Sequence, residues 1–175
     1  MMRKFILKFG LFAVLILVGV GVLSALVFGK SLNYSQQEIL GFVSIFLALS
    51  MVVIAIKQYK TAQGRISFNE GLKIGLGISV LGALGFGLFS IGYMEVAGDE
   101  FFQLFYEQAK TDPSRVPYNV ESFEAFMADM KADNPMYTSS IFQGVVMFLT
   151  VFLIGLIVSI VSSMMMKSKR RLQTA

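Results

Sequence analysis

Residues 72–96 read LKIGLGISVLGALGFGLFSIGYMEV, a stretch in which only the first and last turns carry a charge. A bilayer core about 30 Å thick needs roughly 20 apolar residues in a helix, because hydrocarbon offers the backbone no hydrogen-bonding partner. This stretch is long enough to cross it. Three further apolar runs lie at about 5–28, 39–56 and 140–166. The sequence therefore predicts four transmembrane helices.

The composition indicates that lipid surrounds most of the chain. Hydrophobic residues make up 55% of it and the mean hydropathy is +0.70, which leaves too few polar side chains to cover a soluble globule. Four spans and one long polar segment use nearly all of the 175 residues. We therefore expect a single all-α membrane domain over 1–175, with helices at about 5–28, 39–56, 67–97 and 138–167.

The first run could instead be a secretory signal peptide, because it has a basic start and small residues for cleavage at Ser24-Ala25. The apolar part of a signal peptide usually has about 7–15 residues. This run is longer, so we expect a retained helix. A mature chain that begins near Leu26 would contradict that expectation.

Basic residues fall on one side of this threading. Positive charge in short loops marks the cytoplasmic side, so we predict a multi-pass inner-membrane protein with both termini cytoplasmic. The segment from Glu95 to Asp133 holds nine carboxylates and three basic residues, and should face outward. We interpret the basic tail as a headgroup anchor and predict no nucleic-acid partner. The cytoplasmic set contains eleven of the fifteen Lys and Arg: Arg3, Lys4, Lys8, Lys57, Lys60, Arg65, Lys73, Lys167, Lys169, Arg170 and Arg171.

The connection between the second and third helices carries the most specific motif. Gly64 can supply a positive φ for a turn, and Ser67 with Glu70 fits a capping box that would begin the third helix. The motif reads Gly64-x-Ile66-Ser67-Phe68 and then Gly71-Leu72-Lys73-x-Gly75. Together with the four-run layout and the long polar insert, it resembles the bacterial membrane-protein family called domain of unknown function 4199. The resemblance implies four membrane helices in a bacterial envelope and transfers no catalytic or binding residue.

Small residues recur every four positions in the third run, at Gly71, Gly75, Ser79, Ala83 and Gly87. Residues four apart share one helix face, and a smooth face lets a neighbouring backbone come close. We expect these faces to pack the helices of one chain together, with self-association of two copies as the alternative. Shorter stripes occur at Gly155, Ser159 and Ser163, and at Gly21, Ala25 and Gly29.

Transporters and channels commonly need ionisable groups inside the membrane, and the centres of these runs have none. They offer weakly polar residues, for which we expect interhelical hydrogen bonds: Ser44, Ser50, Ser79, Ser90, Tyr93, Gln143, Thr150 and Ser159. A small transporter or channel subunit remains the alternative function. Its pathway would lie near Tyr93, Glu95, Gln143 and Thr150.

The segment at about 99–134 changes to an amphipathic pattern. We predict an external hairpin of two short helices, from Asp99 to Asp112-Pro113 and from about Asn119 to Asn134-Pro135. Their apolar faces need cover from lipid, from the membrane helices or from a partner. In the second helix that face holds Val120, Phe123, Met127 and Met130, with Phe126 beside it. The acidic residues lack the spacing of a calcium loop, so no metal site is predicted.

The residue types that are missing exclude much chemistry. With no Cys and no His, the chain has no thiol nucleophile, Ser-His-Asp triad, His-ligated haem or ordinary zinc site. We predict that the protein is not an enzyme and binds no cofactor, and that it has no catalytic, cofactor-binding or metal-binding residue. The leading hypothesis is a non-enzymatic structural or accessory protein in the lipid bilayer, whose external hairpin serves as an interaction or accessory surface.

Overall fold

The computed structural model describes residues 1–28, 32–111, 118 and 120–168. Four helices in this part of the chain are long and apolar enough to cross a membrane, as predicted. A π-helical turn over Ser24–Phe28 extends the first of them, and a 3₁₀ turn over Pro135–Thr138 precedes the last. The α-helices are α1 (Met2–Leu23), α2 (Tyr34–Gln63), α3 (Phe68–Thr111), α4 (Phe123–Asp133) and α5 (Ser140–Met166).

The bundle of α1, α2, α3 and α5 has two ends that we name after residues. The Gly64 end contains the start of α1, the α2–α3 turn and the end of α5. The Tyr34 end contains the end of α1 and the starts of α2 and α5. α3 packs against all three other long helices, and α2 also packs against α1 and α5.

Hydrogen bonds at the two ends of α2 explain where α2 and α3 begin. Gly64 has a φ of 73°, the left-handed conformation predicted for the turn. The Ser67 N–H donates to Glu70 Oε2 at 2.9 Å and the Glu70 N–H donates to Ser67 Oγ at 3.3 Å, which confirms the capping box. A second box joins Asn33 and Gln36, so α2 begins five residues before the predicted position, 39.

The polar segment after residue 97 contains two helical stretches, whose starts can be compared with the predicted ones. α3 consists of two helical parts that meet at a kink at Ala97, where φ is −127° and ψ is 17°, so the part that ends at Thr111 begins close to the predicted start at Asp99. The kink separates the apolar part of α3 from its amphipathic part. α4 begins at Phe123 after a Ser122 cap, later than predicted, while its end at Asp133 agrees with the predicted stop. Asp112, Pro113 and Asn119 lie outside the described residues.

The stripe of small residues on α3 packs against α5 of the same chain. A methyl group at Gly71 would lie 2.8 Å from Ser163 Oγ, and one at Gly75 would lie 2.5 Å from Ser159 Oγ. One at Gly155 would lie 2.5 Å from Ser79 Oγ. Such contacts are possible only between backbones that nearly touch. The α3 and α5 stripes therefore interlock, as expected for packing within one chain.

α1 packs on a different face of α3. Methyl groups at Gly77 and Gly85 would lie 2.7 Å from Ile6 Cγ2 and from the Val14 methyls, respectively. In the predicted α1 stripe, Gly21 makes a contact of the same kind, because a methyl group there would lie 2.7 Å from Phe89 Cε1 of α3, and Gly29 lies outside the described residues. α3 thus uses its glycines on two faces, and it sits between α1 and α5 as the central helix.

Large apolar side chains cover the outside of the bundle. Leu11 is 60% exposed, Phe46 60%, Leu88 68% and Ile157 62%. A surface of this kind is costly in water and favourable against lipid tails. The fold is therefore that of a four-helix bundle suited to a bilayer.

The C-terminal part of α3 and α4 form a second, smaller core. Phe102, Tyr106, Ala109, Phe126 and Met130 are its buried members. The Phe126 ring lies at the centre, with the Phe105, Tyr106 and Tyr118 rings 5.5 to 5.7 Å away. The predicted face of α4 is thus rotated, because Phe126 is fully buried while Phe123 and Met127 are only partly so. We call this unit the aromatic cluster.

Candidate ligand-binding cleft

A cleft of about 660 Å³ opens at the Tyr34 end, between α1, α2, α3 and α5. Its volume falls within the range of about 300–1,000 Å³ that is typical of small-molecule sites. Apolar and aromatic side chains form most of the wall, including Leu17, Phe42, Ile45, Phe89 and Met147. All four long helices contribute side chains to the cleft.

The hydroxyl groups deep in the cleft bond to their own helices. Ser44 donates to the Gly41 carbonyl at 2.7 Å, Ser90 to that of Phe86 at 2.8 Å and Thr150 to that of Val146 at 2.9 Å. The prediction that such residues bond between helices is wrong for these three and also for Ser50, which donates to Leu47. With their protons used in this way, the hydroxyls leave the deep part of the cleft mainly apolar.

The mouth of the cleft has a different chemistry. Three carboxylates line it, those of Glu38, Asp99 and Glu100, together with the amides of Gln37 and Gln103. No Lys or Arg lines the cleft within the described part of the chain. The site is therefore amphipathic, with an apolar interior and an acidic, hydrogen-bonding entrance.

The break in α3 builds one wall of that entrance. Ala97 lines the cleft, and the helix beyond it brings Phe101 and Leu104 to the same space. The Tyr34 ring packs against Phe101 at 5.9 Å and Phe105 at 5.2 Å between ring centroids. Tyr34 thereby ties the start of α2 to the redirected part of α3, which continues into the aromatic cluster.

Below the cleft the bundle is filled. Leu49, Val52, Ile78 and Val151 are at most 1% exposed. Ser79 and Ser159 are fully buried with their hydroxyl oxygens 3.4 Å apart, and each hydroxyl donates to its own helix, to Gly75 O and to Gly155 O. Close packing at this level ends the cleft inside the bundle.

Three of the four residues predicted for a pathway come together here. Tyr93, Gln143 and Thr150 line the cleft, and Gln143 donates to the Tyr137 carbonyl at 2.8 Å. Glu95 does not line it. Its carboxylate accepts a short hydrogen bond from the Ser140 hydroxyl at the first residue of α5, where a helix N-terminus favours negative charge.

Sequence reasoning missed the α2 wall of the cleft. Tyr34 and Glu38 contribute to it, although the predicted second helix began only at 39. Asn33 and Gln36 form a capping box of an unusual composition, and recognising it would have moved the helix start to Tyr34. The helix register would then have placed Glu38 near its first turn.

The fold defines a class, that of the α-helical protein with four helices long and apolar enough to cross a membrane. A family model described as a protein of unknown function (DUF4199) matches residues 8–168. The chain belongs to this family, which confirms the resemblance seen in the α2–α3 turn. No curated protein and no solved structure matches the chain.

Proposed function

We propose that this protein is a non-enzymatic integral membrane protein that holds a mainly apolar small molecule in the cleft at its Tyr34 end. The cleft itself carries the proposal, since its volume and its apolar interior suit a ligand drawn from the bilayer. The polar groups deep in the wall are occupied by their own helices, so they support binding better than they support chemistry.

The filled half of the bundle favours binding over passage. A transporter or channel needs a route from one side to the other, and the Ser79–Ser159 layer lies across that route. We therefore assign Tyr93, Gln143 and Thr150 to the wall of a binding site and not to a pathway. The transporter alternative would require α3 and α5 to separate at this tightly packed level.

A protein partner on the aromatic cluster has less support. Phe102, Tyr106, Phe126 and Met130 bury their apolar surface against one another. Little of the amphipathic face predicted for partner binding therefore remains accessible to a partner. We propose instead that the aromatic cluster holds in place the part of α3 that forms the acidic wall of the cleft.

We further propose an orientation with both termini in the cytoplasm of a bacterial inner membrane. Of the eleven Lys and Arg residues predicted to be cytoplasmic, Lys169, Arg170 and Arg171 lie outside the described residues. The other eight all belong to the Gly64 end. Basic residues next to spanning helices favour the cytoplasmic side. The cleft and the aromatic cluster would then face outward, and a C-terminal reporter active only outside the cytoplasm would refute this orientation.

Fluorescence quenching tests the binding proposal. The chain has no Trp, so Phe89→Trp places a single reporter in the cleft wall. In detergent micelles, a nitroxide-labelled alkyl chain with a methyl ester head should quench this Trp saturably at a low probe-to-detergent ratio. Adding Gly41→Leu should abolish saturation, because a methyl group at Gly41 meets no atom within 4 Å and a larger side chain there would fill cleft space.

Two matched variants control this test. Phe46 lies outside the cleft and its side chain is 60% exposed. The Trp fluorescence of Phe46→Trp should therefore fall only gradually as probe is added to the micelles. Gly19→Leu is equally open and lies outside the cleft, so it should leave the saturable phase intact. Identical curves for Phe89→Trp and Phe46→Trp would refute the proposal.

A further inference from the structure

We infer that the ligand of the cleft contains a planar aromatic ring that carries a carbonyl oxygen. The inference rests on the proposed function and specifies its ligand class. It is carried by three aromatic side chains of α3 that line the cleft, Phe86, Phe89 and Tyr93, and by the hydroxyl group of the last of them. We call these three side chains the ring ladder.

The ring ladder follows one face of α3. Its members are three and four residues apart, a spacing that places side chains one above another on a helix. The centroids of the Phe86 and Phe89 rings lie 6.2 Å apart with an angle of 22° between the planes, and those of Phe89 and Tyr93 lie 6.3 Å apart at 26°. The rise from Phe86 to Tyr93 along the helix axis is about 10 Å. This wall of the cleft is therefore a continuous run of nearly parallel rings.

The rings of the ladder keep surface that a ligand can cover. All three side chains are only partly buried, and all three border the cleft. An aromatic ligand makes favourable offset-stacked or edge-to-face contacts with such rings, beyond the gain from burying apolar area. A flexible alkyl chain of equal size lacks these contacts and loses more conformational freedom when it binds. The ring ladder therefore favours a planar ring over a chain.

The Tyr93 hydroxyl adds a polar contact at one end of the ladder. It makes no hydrogen bond within the part of the chain that the structure describes. A phenol hydroxyl at the end of a rigid ring cannot turn back to its own helix, as the hydroxyls of Ser44, Ser90 and Thr150 do. It can donate to a ligand whose ring lies against the ladder, and a carbonyl oxygen is the matching acceptor.

Displacement of a spin-labelled probe tests the preference for a ring. The nitroxide-labelled alkyl methyl ester is bound to the parent protein in non-ionic micelles. The cleft-bound probe is the immobilised component of the electron paramagnetic resonance spectrum that Gly41→Leu removes, because the larger side chain fills cleft space. Three competitors with equal numbers of carbon atoms are then titrated as mole fractions in the micelle: 2-acetylnaphthalene, 2-ethylnaphthalene and the straight-chain ketone dodecan-2-one.

The acetyl compound should be the strongest competitor. It should displace the probe at a mole fraction about fivefold or more below that of dodecan-2-one, since each aromatic contact contributes about two- to tenfold. It should also act at a mole fraction about two- to tenfold below that of 2-ethylnaphthalene, because that compound has the ring and lacks the acceptor.

One conservative substitution locates the polar contact. Tyr93→Phe keeps the ring and removes the hydroxyl, so the two naphthalenes should then displace the probe at mole fractions within about twofold of each other. Tyr137→Phe removes a phenol hydroxyl outside the cleft and should keep the difference. Loss of the difference in both variants, or in neither, would overturn the role assigned to Tyr93.

A pair of substitutions locates the aromatic contact. Phe86→Leu with Phe89→Leu should reduce the preference for 2-acetylnaphthalene over dodecan-2-one to about twofold. The control is Phe148→Leu with Phe152→Leu, which replaces a stacked pair of α5 rings 5.9 Å apart that lies outside the cleft. This control should keep the preference, and an equal loss in both double variants would show that the ring ladder is not the selective element.

The outcomes separate the two proposals. Displacement by 2-acetylnaphthalene and dodecan-2-one at equal mole fractions would overturn the ring inference and leave the binding function standing. The absence of any immobilised component that Gly41→Leu removes would refute the binding function itself.

Discussion

Gly75 and Ser159 form a close contact between α3 and α5: a methyl group at position 75 would lie 2.5 Å from Ser159 Oγ and 3.1 Å from Ser159 Cα. The second distance involves backbone, so a side-chain rotation cannot relieve it. Ser159 is fully buried and donates its proton to Gly155 at 2.6 Å. This contact helps to hold the two helices close together below the cleft.

Gly75→Ala should therefore destabilise the bundle. Overpacking of a tight interface typically costs about 1–3 kcal/mol, and the backbone contact suggests the upper part of that range. Thermal unfolding in a mild detergent would measure the loss. Gly92→Ala is the matched control, because a methyl group there meets no atom within 4 Å; equal melting temperatures for the two variants would contradict the account of this interface.

The end of α5 is tied to the α2–α3 turn by two hydrogen bonds. The Ile66 N–H donates to Ser168 Oγ at 3.1 Å, and the Ser168 N–H donates to the Ile66 carbonyl at 2.9 Å. Ser168→Ala removes the first bond and leaves the partly buried Ile66 N–H unpaired, which should cost about 1 kcal/mol. Hydrogen exchange at the Ile66 amide should accelerate.

The outcome for Ser168 has a simple comparison. Ser50 is a serine of α2 whose hydroxyl bonds only within its own helix. Ser50→Ala should leave exchange at Ile66 unchanged. If Ser168→Ala also leaves it unchanged, the turn is held by Gly64 and the Ser67 cap alone.

Tyr34 holds the redirected part of α3 against α2. Tyr34→Ala removes both ring contacts, with Phe101 and with Phe105, while the helical cap at Asn33 stays intact. Aromatic pairs contribute about 0.5–1.5 kcal/mol each beyond simple burial, so residues 98–111 should exchange amide protons faster than in the parent. Tyr34→Phe is the control and should behave like the parent; equal exchange in the alanine variant would show that the aromatic cluster positions this wall unaided.

Tyr118 gives a pH signature for the aromatic cluster. Burial raises the pKa of this phenol above its usual value near 10, and the hydrogen bond from its hydroxyl to Asp133 Oδ2 at 3.2 Å raises it further. Because the folded state holds the proton more tightly than the unfolded state, the stabilisation is complete below about pH 10 and is lost as pH rises through the folded pKa. The difference between the ultraviolet titrations of the parent and Tyr118→Phe should show this late ionisation, and Asp133→Asn should bring it earlier.

Local signals in the sequence were sufficient for much of the fold. The Ser67–Glu70 cap and the positive φ of Gly64 depend on neighbouring residues only, and both were predicted. The α3 stripe was also predictable, since a four-residue period defines a face without knowledge of its partner. Burial of Tyr59 against the Phe5 ring, by contrast, depends on how α1 and α2 are rotated, and runs that are apolar on all sides do not encode rotation.

The cleft could be predicted only in part for the same reason. Tyr93, Gln143 and Thr150 were chosen as polar residues at membrane depth, and polarity can be seen in one run at a time. Glu38 and Gly41 become part of the site only through the packing of α2 across from α3. The kink at Ala97 lies at the boundary that the change from an apolar to an amphipathic pattern indicated, two residues before Asp99.

Native mass spectrometry of the protein extracted in mild detergent tests most directly whether the cleft holds a ligand from the membrane. The parent and Gly19→Leu should each retain one bound amphipathic molecule through purification, while Gly41→Leu should lose it at unchanged melting temperature. Equal retention by Gly41→Leu, or no retained molecule in the parent under conditions that preserve the fold, would contradict the account.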